Sequence, residues 1–268
     1  MHYESLIYKR EAGIGTVTLN RPDRLNSMDY KMLQELAHLL SEAREDDEIK
    51  ALIFTGAGRA FCSGADVTSE IFCADPKQPG INRAFKLEPW VGFGTVMKRM
   101  RACHKPIIAA VNGMASGGGL SLICHCDIRI ASDAARFCAI WVRRGVVADC
   151  GATFMLPRII GVSKSLELMW TGDILDANDA CKIGLVSNVV PADQLMTTAS
   201  ELASRIVKGP SIAIELMKKL VYDGLENTCF SAQMAHEAYA YEICAKTDDV
   251  KEAFKAFIEK RPPDFQGN

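Results

Sequence analysis

The sequence predicts an α/β fold, a layered sheet followed by a helical C-terminal segment, and three patterns carry that expectation. Two short apolar runs, Ala51 to Thr55 and Pro106 to Val111, have the length and composition of buried strands, and each leads directly into a glycine-rich loop. Between and before them lie stretches with helical spacing, the clearest being Met32, Leu33, Leu36, Leu39, Leu40 and Ala43. After Gly161 the pattern turns helical almost throughout. Strands alternating with helices and glycine loops argue for stacked layers.

Taken in order, Tyr3 to Lys9 and Thr16 to Leu19 read as two strands around Glu11-Ala12-Gly13-Ile14-Gly15, a hairpin-like start. Asn20 to Ser27 is a loop, and Asn26 or Ser27 is the expected cap of the helix beginning at Asp29. Gly56 to Asp66 is a long loop holding three glycines. Residues 73–85, with Pro76, Pro79 and Gly80, read as a surface loop, and Trp90 to Cys103 as a helix. Asn112 to Ser116 leads to the triplet Gly117-Gly118-Gly119, then to the apolar run Leu120 to Cys124: strand, sharp turn, helix start. Bare backbone at such a turn admits close approach, and the free N–H groups of the helix that follows suit an anion or oxyanion. Cys126 to Ala131 is a strand, and Ala139 to Gly145 is mixed. Helices are then expected at 163–171, 176–183, 193–207, 210–223, 231–244 and 248–259, with Pro210 in a first turn and Gly224 past an end.

The 268 residues, 49% hydrophobic and 24% charged with net charge −2, suffice for one large core and exclude a basic nucleic-acid surface. No apolar run approaches a membrane span, and Met1-His2-Tyr3-Glu4 predicts no signal peptide, so a cytoplasmic location is expected. The ten cysteines sit mostly in apolar runs and are expected as buried free thiols. Cys124-His125-Cys126-Asp127 lacks a second pair at ligand spacing, so no metal is expected there.

Four motifs in fixed order, Asn20-Arg21-Pro22-x-x-Leu25-Asn26, Phe61 to Asp66, Ala109 through Gly119, and Cys126-Asp127, resemble the crotonase (enoyl-CoA hydratase/isomerase) superfamily. The resemblance implies repeated ββα units in the crotonase (ClpP-like) fold. The sequence pattern divides the chain into an α/β core over residues 1–200 and a helical segment over 201–268, and the resemblance places the active site in the first and oligomerisation and pocket closure in the second. The resemblance also implies an acyl-CoA thioester substrate, no cofactor beyond the substrate's own coenzyme A, and assembly as a homotrimer or dimer of trimers. The thioester oxygen would be held by the backbone N–H groups of Ser63 and Gly118. Donors placed where charge develops contribute roughly 2.7–4 kcal/mol each in comparable sites. Arg24, Ala65, Asp66 and Gly117 would contact the substrate, as would Phe257 and Lys260 across a subunit boundary.

The departures from the family pattern are as informative. The two glutamates that family hydratases use to activate water fall on Ser121 and Trp141 here. Indole only donates, and the serine hydroxyl has no activating histidine beside it in sequence. Ser121 and Trp141 are therefore expected to shape the pocket. A carboxylate reappears at Asp149, and Val146 to Thr153 with Leu156-Pro157-Arg158 is similar to superfamily isomerases that keep one aspartate here, the dienoyl-CoA and ring-epoxyphenylacetyl-CoA types. One carboxylate suffices for a 1,3-proton shift, and the apolar residues around Asp149 are expected to desolvate it. Enoyl-CoA isomerisation is thus the expected activity. A hydratase using Asp149 alone and an acyl-CoA-binding protein without chemistry remain the alternatives. Asp127 is expected to serve as a structural hydrogen-bonding group.

Overall fold

The computed structural model describes residues 2–68, 92–227 and 229–268. The loop expected at 73–85 and the helix start expected at Trp90 lie outside them. Ten strands and ten α-helices are found in the described residues. The chain opens with β1 (Leu6–Glu11) and β2 (Ile14–Leu19), an antiparallel hairpin, followed by α1 (Tyr30–Glu45). Three strand pairs then follow: β3 (Ala51–Gly56) with β4 (Ala60–Cys62), β5 (Ile107–Val111) with β6 (Met114–Ser116), and β7 (Ile128–Ser132) with β8 (Arg136–Cys138).

The first strand of each pair joins a six-stranded sheet in the order β1-β2-β3-β5-β7-β10, parallel from β2 onward. The second joins a four-stranded sheet in the order β4-β6-β8-β9. A helix follows each pair: α2 (Phe93–Ala102), α3 (Gly118–Cys124) and α4 (Ala152–Ile160). The ββα repeat is therefore real, and it winds two sheets at once.

The core runs through the inside of this spiral. Phe54, Phe61, Phe137, Leu36, Leu39 and Met32 are buried, and α1 turns its apolar stripe inward. Two asparagines hold the first glycine loop. Asn26 accepts from the Arg21 amide and donates to the carbonyls of Ala57 and Ala60 at 2.9 and 2.7 Å. Asn112 accepts from the Gly56 amide at 3.0 Å and donates to Gly58 at 2.9 Å. These loops are buried in part, so their backbone groups need partners other than water.

Several expectations are corrected. The cap of α1 is Asp29, whose carboxylate accepts from the Met32 amide at 2.8 Å, because Met28 is drawn into a bridge with Ala65. The region after Gly161 is not helical throughout: after α5 (Val162–Thr171), β9 (Ile174–Asp176) completes the smaller sheet, and after α6 (Ala177–Lys182), β10 (Asn188–Val190) completes the larger. A division at residue 200 cuts through α7 (Leu195–Val207). Its Leu195, Ala199 and Ala203 pack on Ile14, Ile53, Ile108 and Ile130 of the larger sheet. The helical segment thus starts with α8 (Ser211–Glu226), continuing through α9 (Phe230–Cys244) and α10 (Asp248–Glu259). Asp127 anchors α8 to the sheet: it accepts from the Ile107 amide at 2.7 Å, Lys218 Nζ at 2.7 Å and Tyr222 Oη at 2.8 Å.

Candidate active site

The site is built where the loop after β4, the turn after β6 and the loop before α4 converge. Gly64, at φ +104°, lies flat against the end of β6; a Cβ there would sit 2.9 Å from the Ser116 carbonyl and 3.4 Å from the Gly118 nitrogen. The two glycine loops are therefore in direct contact. Gly119 seals that contact, since a Cβ on it would come within 2.1 Å of the Cys62 carbonyl oxygen.

This packing decides which amides are free. Ser63 N–H donates to the Leu25 carbonyl at 3.0 Å, so it is not available to a thioester, contrary to expectation. The parallel bridge between Met28 and Ala65 takes the Gly64 carbonyl and the Asp66 amide, at 2.8 and 3.0 Å, and turns the Ala65 N–H the other way. No described residue accepts from the Ala65 N–H. Gly118 is the first residue of α3, so its N–H has no partner within the helix. Gly117 supplies the bend at φ +52°, and its own amide is spent on the Cys138 carbonyl. The free pair is Ala65 and Gly118.

These amides face a cavity of about 580 Å³ whose wall includes Arg24, Ala65, Asp66, Phe93, Trp141 and Asp149. Its two carboxylates among the described residues differ in availability. Asp66 is buried and bonded to Arg21 at 2.9 Å and to the Thr68 hydroxyl and amide at 2.7 and 3.0 Å. Hydrogen bonds from Thr68, then from Arg21, hold its carboxyl below the usual range. It clamps the loop, and its side chain is already committed. Two side chains meet the Asp149 carboxylate: Trp141 Nε1–H donates to Oδ1 at 2.9 Å, and the Cys150 thiol bonds to it as well. Trp141 is 6% exposed, so the indole is fixed from behind and the carboxylate is aimed by it.

Ser121 is fully buried and does not reach the cavity wall; its hydroxyl donates to the Asp149 carbonyl at 3.2 Å. Ser121 and Trp141, where the resemblance places hydratase glutamates, thus both hold Asp149, one by its backbone and one by its side chain. Cys150, in the left-handed region at φ 54°, and Gly151, at φ 75°, turn the chain into α4. Gly151 is the N-cap, and no side chain caps that helix, so Asp149 is not a capping residue. The neighbours expected to desolvate Asp149 divide: Val147 is 81% exposed, while Val146, 54% exposed, lines the same cavity as Asp149. Only Ala148 and Cys150 pack inward.

The thiols near the site are held protonated. Burial pushes Cys62 up to about 12, raises Cys138, and, with the Asp149 charge, raises Cys150 as well. Thiolate nucleophiles are thereby disfavoured. Phe257 is 82% exposed, and neither it nor Lys260 lies on the cavity of its own chain. The links that sequence reasoning missed, Ala65 as a free donor and the Trp141–Asp149 pair, depend on tertiary pairing.

A family model described as enoyl-CoA hydratase/isomerase matches residues 9–268. The chain is 36% identical to a short-chain-enoyl-CoA hydratase of Clostridium acetobutylicum, covering 97% of each protein. It is 34% identical to the 1,2-epoxyphenylacetyl-CoA isomerase of Escherichia coli, covering 98% of this chain and 99% of that one. The crystal structure of an enoyl-CoA hydratase from Bacillus anthracis superposes with a TM-score of 0.90 at 32% identity, over 99% of this chain and 100% of the other. The fold, the glycine cradle and these matches agree that the chain belongs to the enoyl-CoA hydratase/isomerase (crotonase) family, whose members act on acyl-CoA thioesters.

Proposed function

We propose that this protein moves a double bond within an enoyl-CoA thioester, with Asp149 as the sole acid and base. The observation that carries the proposal is that Asp149, aimed by Trp141 at 2.9 Å, is the cavity-wall carboxylate among the described residues that no cation pairs, whereas Asp66 is held by Arg21. The thioester oxygen sits between the Ala65 and Gly118 amides, which stabilise the charge that develops when the α- or γ-proton leaves. Asp149 takes the proton from one carbon and returns it two carbons along. The shift is redox-neutral, so coenzyme A within the substrate is the only cofactor moiety involved. Arg24, on the wall of the same cavity, would meet an anionic part of coenzyme A.

Hydration is the second reading, favoured by the hydratase names among the relatives. It requires Asp149 alone to orient and deprotonate water. One experiment separates the readings. The enzyme is incubated in D2O with a 3-enoyl-CoA and with crotonyl-CoA. Isomerisation predicts conjugation of the first and deuterium at the α or γ carbon, with little loss of enoyl absorbance from the second. Rapid hydration of crotonyl-CoA without exchange overturns the assignment.

The proposed assembly is a trimer or dimer of trimers. Phe230, Met234, Tyr241, Phe254, Phe257 and Ile258 on α9 and α10 are all half or more exposed in the single chain. Light scattering should give a mass that is a multiple of three protomers; a monomer at micromolar concentration rules it out. In that assembly Phe257 and Lys260 reach coenzyme A bound to a neighbour.

A further inference from the structure

A second, larger cavity of about 1410 Å³ opens beyond the first, and Phe93, Asp149 and Cys150 form the wall they share. A thioester held by Ala65 and Gly118, with its reacting carbons at Asp149, directs the rest of its acyl group across that wall. The second cavity is not a plain hydrocarbon sleeve. Met97, Phe154 and Met155 line it, and so do Arg101 and His125.

His125 stands apart from the other polar groups there. It is 5% exposed, at the C-terminal end of α3, and no mechanism step uses it. Its Nδ1 lies 2.9 Å from the Ser121 carbonyl, which can only accept, so Nδ1 carries the proton. In the neutral ring Nε2 is then a bare acceptor. Burial lowers the His125 pKa, which keeps the ring in that form at neutral pH. No hydrogen bond to Nε2 is found among the described residues. The ring edge rests on Gly151, two residues past Asp149: a Cβ there would come within 2.9 Å of Nε2, so the glycine keeps this space open. On the same cavity, Arg101 donates through Nη2 to Glu226 at 3.1 Å and stacks on Tyr222 at 3.6 Å, while its Nη1 is buried with no partner.

We infer that His125 Nε2 recognises a hydrogen-bond donor on the far part of the acyl group, and that the preferred substrates are CoA thioesters bearing an acyl hydroxyl. A hydroxyl both donates and accepts, so it can give its proton to Nε2 and accept from a cationic neighbour such as Arg101. A buried acceptor left unmatched by a purely hydrocarbon acyl group keeps its desolvation cost, which is what makes such a group selective. The inference rests on the acyl-CoA reading of the first cavity and not on the choice between isomerisation and hydration.

The test is direct binding, measured calorimetrically with saturated, unreactive thioesters, so that no catalytic step enters. Unsubstituted acyl-CoA esters of four to eight carbons are compared with their ω-hydroxy counterparts. The wild type should bind at least one hydroxy ester about 5- to 10-fold more tightly than its unsubstituted match, the value of one well-placed neutral hydrogen bond. His125→Leu should bring that ratio to about one while the unsubstituted esters keep their affinity within about twofold. In wild-type protein labelled with 15N-histidine, the preferred hydroxy ester should shift the His125 Nε2 resonance and its unsubstituted match should not. This reading needs no variant to fold. No preference at any chain length, or a preference that survives in His125→Leu, overturns the inference. Failure of every ester to bind would instead remove the acyl-CoA reading of the site.

Discussion

Asp149→Asn should lower the rate of double-bond isomerisation by about 10²- to 10⁴-fold, the range supplied by a positioned proton carrier, while CoA-ester affinity stays within about twofold. The two effects separate because different parts of the chain perform them. In the proposed mechanism the thioester oxygen is bound by the backbone of Ala65 and Gly118, which the substitution leaves alone. The proton is carried there by a carboxylate that an amide replaces in size but not in basicity. The Trp141 indole, 2.9 Å from Oδ1, can still donate to the amide oxygen, so the side chain should keep its place. Trp141→Phe provides the graded comparison. It removes the aiming hydrogen bond and leaves the ring, so turnover should fall by about tenfold with little change in binding. Turnover by Asp149→Asn at near wild-type rate would remove Asp149 from the mechanism.

Gly119→Ala should be among the most destabilising single-methyl changes available to this chain, costing at least about 3 kcal/mol, the upper end for overpacking. The added carbon would sit 2.1 Å from the Cys62 carbonyl oxygen. That oxygen belongs to the backbone of a buried strand and cannot swing aside, so α3 and β4 must part. Gly145→Ala is the control: it meets nothing within 4 Å, and its cost is only that of a side chain at φ +69°, about 1 kcal/mol. Urea unfolding of the two variants gives the comparison, read from midpoints at equal slopes. Equal stabilities would mean that the contact between the glycine loops has far more slack than the geometry shows. Because that contact also sets the distance between the Ala65 and Gly118 amides, surviving Gly119→Ala protein should bind thioesters poorly.

The legible parts of the fold were those with a local physical signature. The runs at Ala51 and Ile107 could only be buried strands, and α1 showed its stripe because one face meets the core and the other meets water. The short strands β9 and β10 left no such mark. Each has three residues at a sheet edge, too few for a period to develop. Helix α4 was obscured by Pro157 within it and by the absence of a capping side chain before it. In the site, Asp149 stood out because a carboxylate reappears where the usual two are missing. The free amide of the first glycine loop lies two residues past the expected one, because Leu25 takes the Ser63 amide and the Met28 bridge turns the Ala65 amide away, both from a distant loop. The environment of Asp149 was misjudged for a similar reason. Apolar letters beside a residue desolvate it only if the turn folds them toward it, and Val147 folds outward while Val146 lines the cavity.

The direct contact between Gly64 and the Ser116–Gly118 turn has a wider consequence. In the proposed mechanism, what grips the thioester is main chain, fixed by packing between β4, β6 and α3. What moves protons is a handful of side chains on a separate loop, from Trp141 to Cys150. Exchange of those few side chains can therefore change the reaction without disturbing the grip.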